Sequence, residues 1–305
     1  MAQQRTLLQQ RIESGQLVLL AEISPPRGAD PAAVQDAAKR CVGKVHAVSV
    51  SDNRDGVRMA ALAAASLVAA AGVEPVLHIV TRDRNRIALV SEVLGAQALG
   101  VRNLFCTSGT HQTLGPFRAS KNVYDLDSVL LLQTCSDLTG DASIVGEAGI
   151  PGAGPFCLGG VAAPYADPLE LQVLRLAKKV ASGAHYLITQ PVYDLDRFTA
   201  WWAEVTRRGI HEKVAILAGI EPLCDADEAK AAATKRPRPM IPEAMLARLA
   251  SKNGKDAQRA EGILMAKETI ERLSAVEGLR GFSVCGDGHV DVALDVIAKS
   301  GLGTN

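Results

Sequence analysis

EPVLHIVTRDRNRIALVSEVLGAQALGVRNLFCTSGTH, running from Glu74 to His111, holds a strand, a helix and a strand in one short span. Val76-Leu77-His78-Ile79-Val80 is an apolar run bounded by Pro75 and the charged turn Arg82-Asp83-Arg84-Asn85. Ile87, Val90, Val93, Leu94 and Ala98 then recur at helical spacing on one face, and Gly100 stops them. A second apolar run, Leu104-Phe105-Cys106, ends at Ser108-Gly109. Two strands joined through a helix in this way lie parallel.

The same unit recurs in both directions. Upstream, Thr6–Ser14 reads as a short amphipathic helix stopped by Gly15, and Leu17–Ile23 as a strand ended by Ser24-Pro25-Pro26. Proline has no N–H for a ladder, so the chain must leave the sheet there. Asp30-Pro31 opens a helix, with Asp30 as its N-cap. Val45–Val50 is a strand, followed by Ser51-Asp52-Asn53 and an alanine-rich helix over Val57–Ala71. Downstream, a Gly/Pro/Ser-rich connection, Thr110–Tyr124, leads to a helix at Leu126–Leu138 and a glycine-rich loop, Thr139–Gly154. Strands then fall at Phe156–Val161, His185–Thr189, Val214–Leu217 and Gly281–Val284. Helices alternate with them at Leu169–Ser182, Leu195–Arg208, across most of Asp225–Val276, and at Val290–Lys299.

Eight strands therefore alternate with helices, without a compositional break. Closing eight parallel strands removes every sheet edge, whereas an open doubly wound sheet leaves two. No GxGxxG follows any of the strands, which disfavours the dinucleotide-binding alternative. The expected fold is an α/β (βα)8 TIM barrel over residues 17–305, preceded by an N-terminal helix within 1–16. Its active site should lie at the carboxyl ends of the strands.

Composition narrows the function. Lys+Arg and Asp+Glu number 33 each, so no overall field favours nucleic acid or an anionic membrane. No apolar run approaches the ~20 residues of a membrane span, and the first residues lack the apolar core of a signal peptide. A cytoplasmic setting is expected. Six scattered cysteines without CxxC or Cys/His ligand spacing read as small buried hydrophobes, not as a metal site.

The strand ends present Glu22, Ser51-Asp52-Asn53, His78 with Arg82-Asp83, Gly109-Thr110-His111, Gly159-Gly160, Gln190 with Tyr193, Glu221, and Asp287 with His289. Glu22 is set in an apolar strand against two prolines. Such a setting favours a neutral carboxyl that can donate a proton near neutral pH. A structural carboxylate, capping a loop or paired with an arginine, fits the position equally well. His78, inside an apolar run, reads more readily as a core residue than as a catalyst. The Arg82–Arg86 charges read as a solvated helix start capped by Asp83. Arg175, Lys178 and Lys179 form either a solvated face or a phosphate contact beside a Gly159-Gly160 turn. The glycines at 109 and 159 would let a flat ligand approach the backbone. The amide of Gln190 suits a heterocycle with paired donors and acceptors.

With these residues in place, the chain resembles the methylenetetrahydrofolate reductase family, in its short bacterial form, from Leu17 to Gly301. The resemblance rests on Glu22-Ile23-Ser24-Pro25-Pro26, Ser51-Asp52-Asn53, residues 82–89, residues 124–128, Lys178-Lys179 with Gly183-Ala184, and Ile188-Thr189-Gln190. It implies a barrel holding a flavin (FAD or FMN), with NADH or NADPH as electron donor and a folate as substrate. It further implies that Glu22 is the acid that opens the folate ring before hydride transfer, and that Gln190, Glu228 and His289 contact folate. By the same resemblance Ser51, Asp52, His78, Ser108, Gly109, Thr110, Gly159, Lys178 and Lys179 line the cofactor, and the phosphate reading of Arg175 adds it to them. The pattern departs from the family at Ser108, Thr110 and Gly159, where an arginine, an aspartate and an aromatic residue are usual. Two alternatives follow: direct hydride transfer from the nicotinamide, or a folate-binding subunit of a larger electron-transfer complex. Short reductases of this type often pair with an iron–sulfur subunit, so a homo- or hetero-oligomer is expected.

Overall fold

A computed structural model describes residues 5–138, 150, 153–234, 239–286 and 288–303. Eight parallel strands close into a barrel in sequence order: β1 (Val18–Ile23), β2 (Ala47–Val50), β3 (Pro75–Val80), β4 (Asn103–Thr107), β5 (Cys157–Ala162), β6 (Tyr186–Pro191), β7 (Ala215–Ile220) and β8 (Gly281–Val284). The β1–β8 pairing, Val18 to Gly281 through Ala21 to Val284, completes the ring. Among the described residues no helix is long and apolar enough to cross a membrane. The glycine-rich loop and Asp287 lie largely or wholly outside the described residues.

Alternation along the strands sorts the side chains into two layers. Val18, Leu20, Ala47, Val76, Phe105, Cys157, Tyr186, Ile188, Ala215 and Leu217 pack inside the ring. The intervening residues, such as Leu19, Ala21, Leu77, Ile79 and Leu104, pack outward against the helices. Most of these helices follow the sequence pattern in their extent: α2 (Ala32–Cys41), α3 (Ala61–Ala70), α4 (Arg86–Ala98), α5 (Ser128–Asp137), α6 (Leu169–Ala181), α7 (Leu195–Arg207) and α11 (Val290–Lys299). The face of α4 differs: Leu89, Val93 and Ala96 are buried, whereas Ile87 is 77% exposed. The region after β7 resolves into α8 (Ala226–Thr234), α9 (Glu243–Ala250) and α10 (Lys255–Ser274). Ala61, Ala64 and Ala65 are fully buried, their small side chains letting α3 lie close to the sheet.

The amino end of the barrel is closed by α1 (Leu7–Glu13), whose Leu8 joins the inner cluster. Its first N–H groups, from Leu7 and Leu8, donate to the Glu74 carboxylate at 2.7 and 3.0 Å. A negative group at a helix N-terminus satisfies otherwise orphaned donors and complements the helix dipole.

Two histidines complete the ladder with their rings. Leu19 N donates to His46 Nδ1 at 2.8 Å, and Leu158 N donates to His185 Nδ1 at 3.0 Å. Each histidine returns the bond from its own amide, to Leu19 O and Leu158 O. An accepting Nδ1 requires a neutral ring. Burial lowers the pKa of His46 to about 4, with Arg11 adding to the effect, and burial lowers that of His185 also. The unfolded chain takes up these protons near pH ~6.5. Stability is therefore expected to fall as pH drops from ~6.5 towards 4, by about 1–2 kcal/mol for the half-buried His46 after allowance for solvent screening. His46→Gln should flatten that part of a pH–Tm profile, and an unaltered profile would refute the assignment.

Candidate active site

The carboxyl ends of the strands carry the polar residues. Glu22 follows Val18 and Leu20 in inward alternation on β1, and its side chain is 13% exposed. Its Oε1 accepts from Arg54 Nη1 at 3.2 Å. Of the two readings open in the sequence, the arginine partner is present. Arg54 Nη2 reaches both carboxylate oxygens of Glu221, at 2.9 and 3.1 Å. Arg54 Nη1 also donates to Cys285 Sγ at 3.0 Å, and the sulfur lies 3.8 Å from Glu22 Oε1 and 3.7 Å from Glu221 Oε1. One guanidinium thus bridges two carboxylates and a thiol at the barrel mouth. Its own pKa is raised, through Cys285 first and then the two carboxylates.

Neither Arg54 nor Cys285 was singled out from the sequence for a role, and Glu221 was noted only as a strand end. Register contained the signal. Val284 pairs with Ala21 on β1 and Ile220 on β7, so the next residues, Glu22, Cys285 and Glu221, fall side by side across three strands. Arg54 was hidden because turn chemistry accounts for the whole Asp52–Gly56 stretch.

Two further polar groups lack protein partners. Gln190 follows an irregularity in β6, where the register with β7 shifts between Ile188 and Pro191. Thr189 Oγ1 fixes the bend by accepting from Gly219 N at 2.9 Å and donating to Gln190 O at 2.8 Å. A Cβ on Gly219 would strike Thr189 O, so only glycine admits the bend. The Oε1 of Gln190 is buried and unpaired, as is Nε2 of His78. His78 lies against Phe105, with ring centroids 4.5 Å apart. Burial lowers its pKa, opposed by Glu22 and Asp52. The sequence favoured a satisfied core histidine; the unpaired nitrogen departs from that reading.

Most of the expected cofactor residues are engaged within the protein. Asp52 is 3% exposed, accepting from Val80 N at 3.0 Å and from Arg84 at 2.7 and 3.2 Å. Ser51 Oγ donates to Ser24 Oγ at 3.1 Å, and Ser108 Oγ accepts from Ser128 N at the start of α5. Thr110 O is taken by Arg82 Nη1 at 2.9 Å. A Cβ on Gly109 would meet Val80 Cγ1 at 2.6 Å, and one on Gly159 would enter the Tyr186 ring. These glycines accommodate neighbouring side chains, and the space foreseen for a flat ligand at Gly159 is already filled. Gly159 and Gly160 also lie within β5, not in a turn.

Arg175 and Lys178 are exposed on α6, and Lys178 lies in its last turn, away from the strand ends. Lys179 turns inward and donates to Val161 O. Burial, and then Arg175, lower its pKa to about 8. Of the two readings open for these three, Arg175 and Lys178 match the solvated face, and Gly159-Gly160 makes no turn beside them. Glu228 and His289 are exposed, at the first turn of α8 and just before α11.

The charges at 82–86 are fasteners, not a solvated helix start. Arg82 bridges Asn53 O, Thr110 O and Asp83, Arg84 holds Asp52 and Glu92, and Arg86 holds Asp125. The cap of α4 is Asn85, whose Oδ1 accepts from Ala88 N at 3.0 Å, and not Asp83.

A closed eight-stranded barrel with an acid–base cluster at its carboxyl mouth has the architecture of a barrel enzyme. The family model for methylenetetrahydrofolate reductase matches residues 7–286, and the chain belongs to that family. A curated relative, the probable methylenetetrahydrofolate reductase (NADPH) of Caenorhabditis elegans, is 24% identical over 229 residues. That match takes in 75% of this chain but only 32% of the relative, so the chain spans about a third of its length. Among solved structures, an uncharacterized protein from Clostridium thermocellum that binds two copies of 5-methyl-5,6,7,8-tetrahydrofolic acid superposes with TM-score 0.67 and 14% identity. The superposition covers 96% of this chain and 99% of that one and supports the shared fold.

Proposed function

We propose that this chain reduces 5,10-methylenetetrahydrofolate to 5-methyltetrahydrofolate, with Glu22 as the proton donor. The observation that carries the proposal is a glutamate on the inner wall at the carboxyl end of β1, within a mouth that also holds unpaired polar atoms of Gln190 and His78. Glu22 would deliver its proton to the folate amine nitrogen that carries the bridging methylene. The C–N bond to that nitrogen then breaks, leaving an iminium carbon that accepts hydride. Arg54 holds Glu22 Oε1 and must release it for that oxygen to reach substrate. Gln190 would orient the heterocycle through its free acceptor.

The same side chains bear on the hydride source. Of the residues expected to line a flavin, His78 alone retains a buried polar atom without a partner. The others are hydrogen-bonded internally, filled by neighbours, or placed on the outer helix. The set offers a flavin few free side chains. NADH or NADPH donating hydride directly to the iminium carbon is the better-supported reading. Among the described residues there is also no group of three or more His, Cys, Asp or Glu placed to hold a metal.

The test is NAD(P)H oxidation that depends on methylenetetrahydrofolate, in protein whose visible spectrum lacks flavin bands. Turnover there supports direct transfer. Turnover only after adding FAD or FMN restores the flavin route. No turnover under either condition, or with an iron–sulfur reductant, overturns the proposal.

A further inference from the structure

We infer that Glu221 reads the 2-amino-4-oxopyrimidine edge of the pterin, and that Arg54 holds that place in the unliganded protein. The inference rests on the folate reading above and assigns the residue that recognises the ring. Glu221 extends inward from the end of β7, its side chain 17% exposed, and both oxygens face one planar nitrogen of Arg54. Arg54 comes from the β2–α3 turn and is 45% exposed. The carboxylates are anchored on strands, and the cation between them is the movable part.

A largely buried carboxylate that loses its guanidinium donor is costly, so whatever displaces Arg54 must supply comparable N–H groups. The pterin edge does so. Its 2-amino group and N3–H are coplanar donors across one N–C–N unit, the geometry of a guanidinium, and they match the two oxygens of a carboxylate. A second observation points to the same kind of ligand. Gln190 on the neighbouring strand β6 presents a buried, unpaired acceptor oxygen. Adjacent strands therefore offer acceptors and require donors. Lumazine, with a carbonyl in place of the 2-amino group, would set oxygen against carboxylate.

Equilibrium binding of pterin and of lumazine to the full chain, followed by ligand fluorescence, tests the assignment. Wild type should prefer pterin by ~10–100-fold. Glu221→Gln should erase the preference. Arg54→Ala should keep it and tighten pterin binding, because a competing cation is gone. If Glu221→Gln does not fold, as judged by its melting transition, Glu221→Asp should weaken pterin binding and leave lumazine binding unchanged. A folded Glu221→Gln protein that still prefers pterin overturns the inference and leaves the folate reading standing, as does an Arg54→Ala protein that binds pterin more weakly. Wild type that binds neither ring removes the folate reading and this inference with it.

Discussion

Glu22→Gln is expected to slow methylenetetrahydrofolate reduction by ~10²–10⁴-fold, the range by which a positioned general acid accelerates proton transfer. The substitution is nearly isosteric. Its amide oxygen can still accept from Arg54, which now donates to Oε1 at 3.2 Å, so the packing of the mouth persists. What is lost is the ionisable proton. Binding of the folate product, which needs no proton transfer, should change little, while kcat falls. The measurement is a comparison of kcat with product affinity, together with a melting curve. A parallel fall in turnover, affinity and Tm would show that Glu22 serves only to anchor Arg54.

Asp52→Ala should cost about 3–5 kcal/mol of folding stability, the usual penalty for removing one partner of a buried ion pair. Asp52 accepts from the end of β3 through Val80 N and from both terminal nitrogens of Arg84. Arg84 keeps Glu92 at 2.8 Å, which offsets part of the loss and argues for the lower end of the range. Chemical denaturation with an unchanged m-value measures the effect. Should stability hold while only cofactor affinity falls, Asp52 belongs to a ligand site and its structural role is refuted.

Much of the barrel was legible because period-two and period-3.6 patterns depend on local spacing alone. The bounds of β8 and α11 agree with those read from the sequence. Helix α3 begins at Ala61 and not at Val57, because the preceding turn is held by side chains: Arg58 N donates to Asn53 Oδ1, and Arg58 Nη1 to Pro25 O. Strand β6 runs on to Pro191 because its irregularity depends on Gly219, which lies on another strand. The same distinction governs the site. Glu22 and Gln190 could be placed at the mouth by position along their own strands. The employment of Asp52 could not, since Arg84 stands 32 residues away, nor could that of Gly159, whose missing Cβ makes room for Tyr186. An arginine-rich turn reads as solvated until distant partners are known; Asp125, which holds Arg86, lies 39 residues downstream.

The imidazoles of His46 and His185 stand in for peptide groups at the β1/β2 and β5/β6 joints. Those joints lie four strands apart around the ring, so they mark the cylinder off into two leaves of equal strand number, β2 to β5 and β6 round to β1. Protonation of either ring removes the acceptor at its own joint. Acid is therefore expected to bear on this cylinder at two opposite joints.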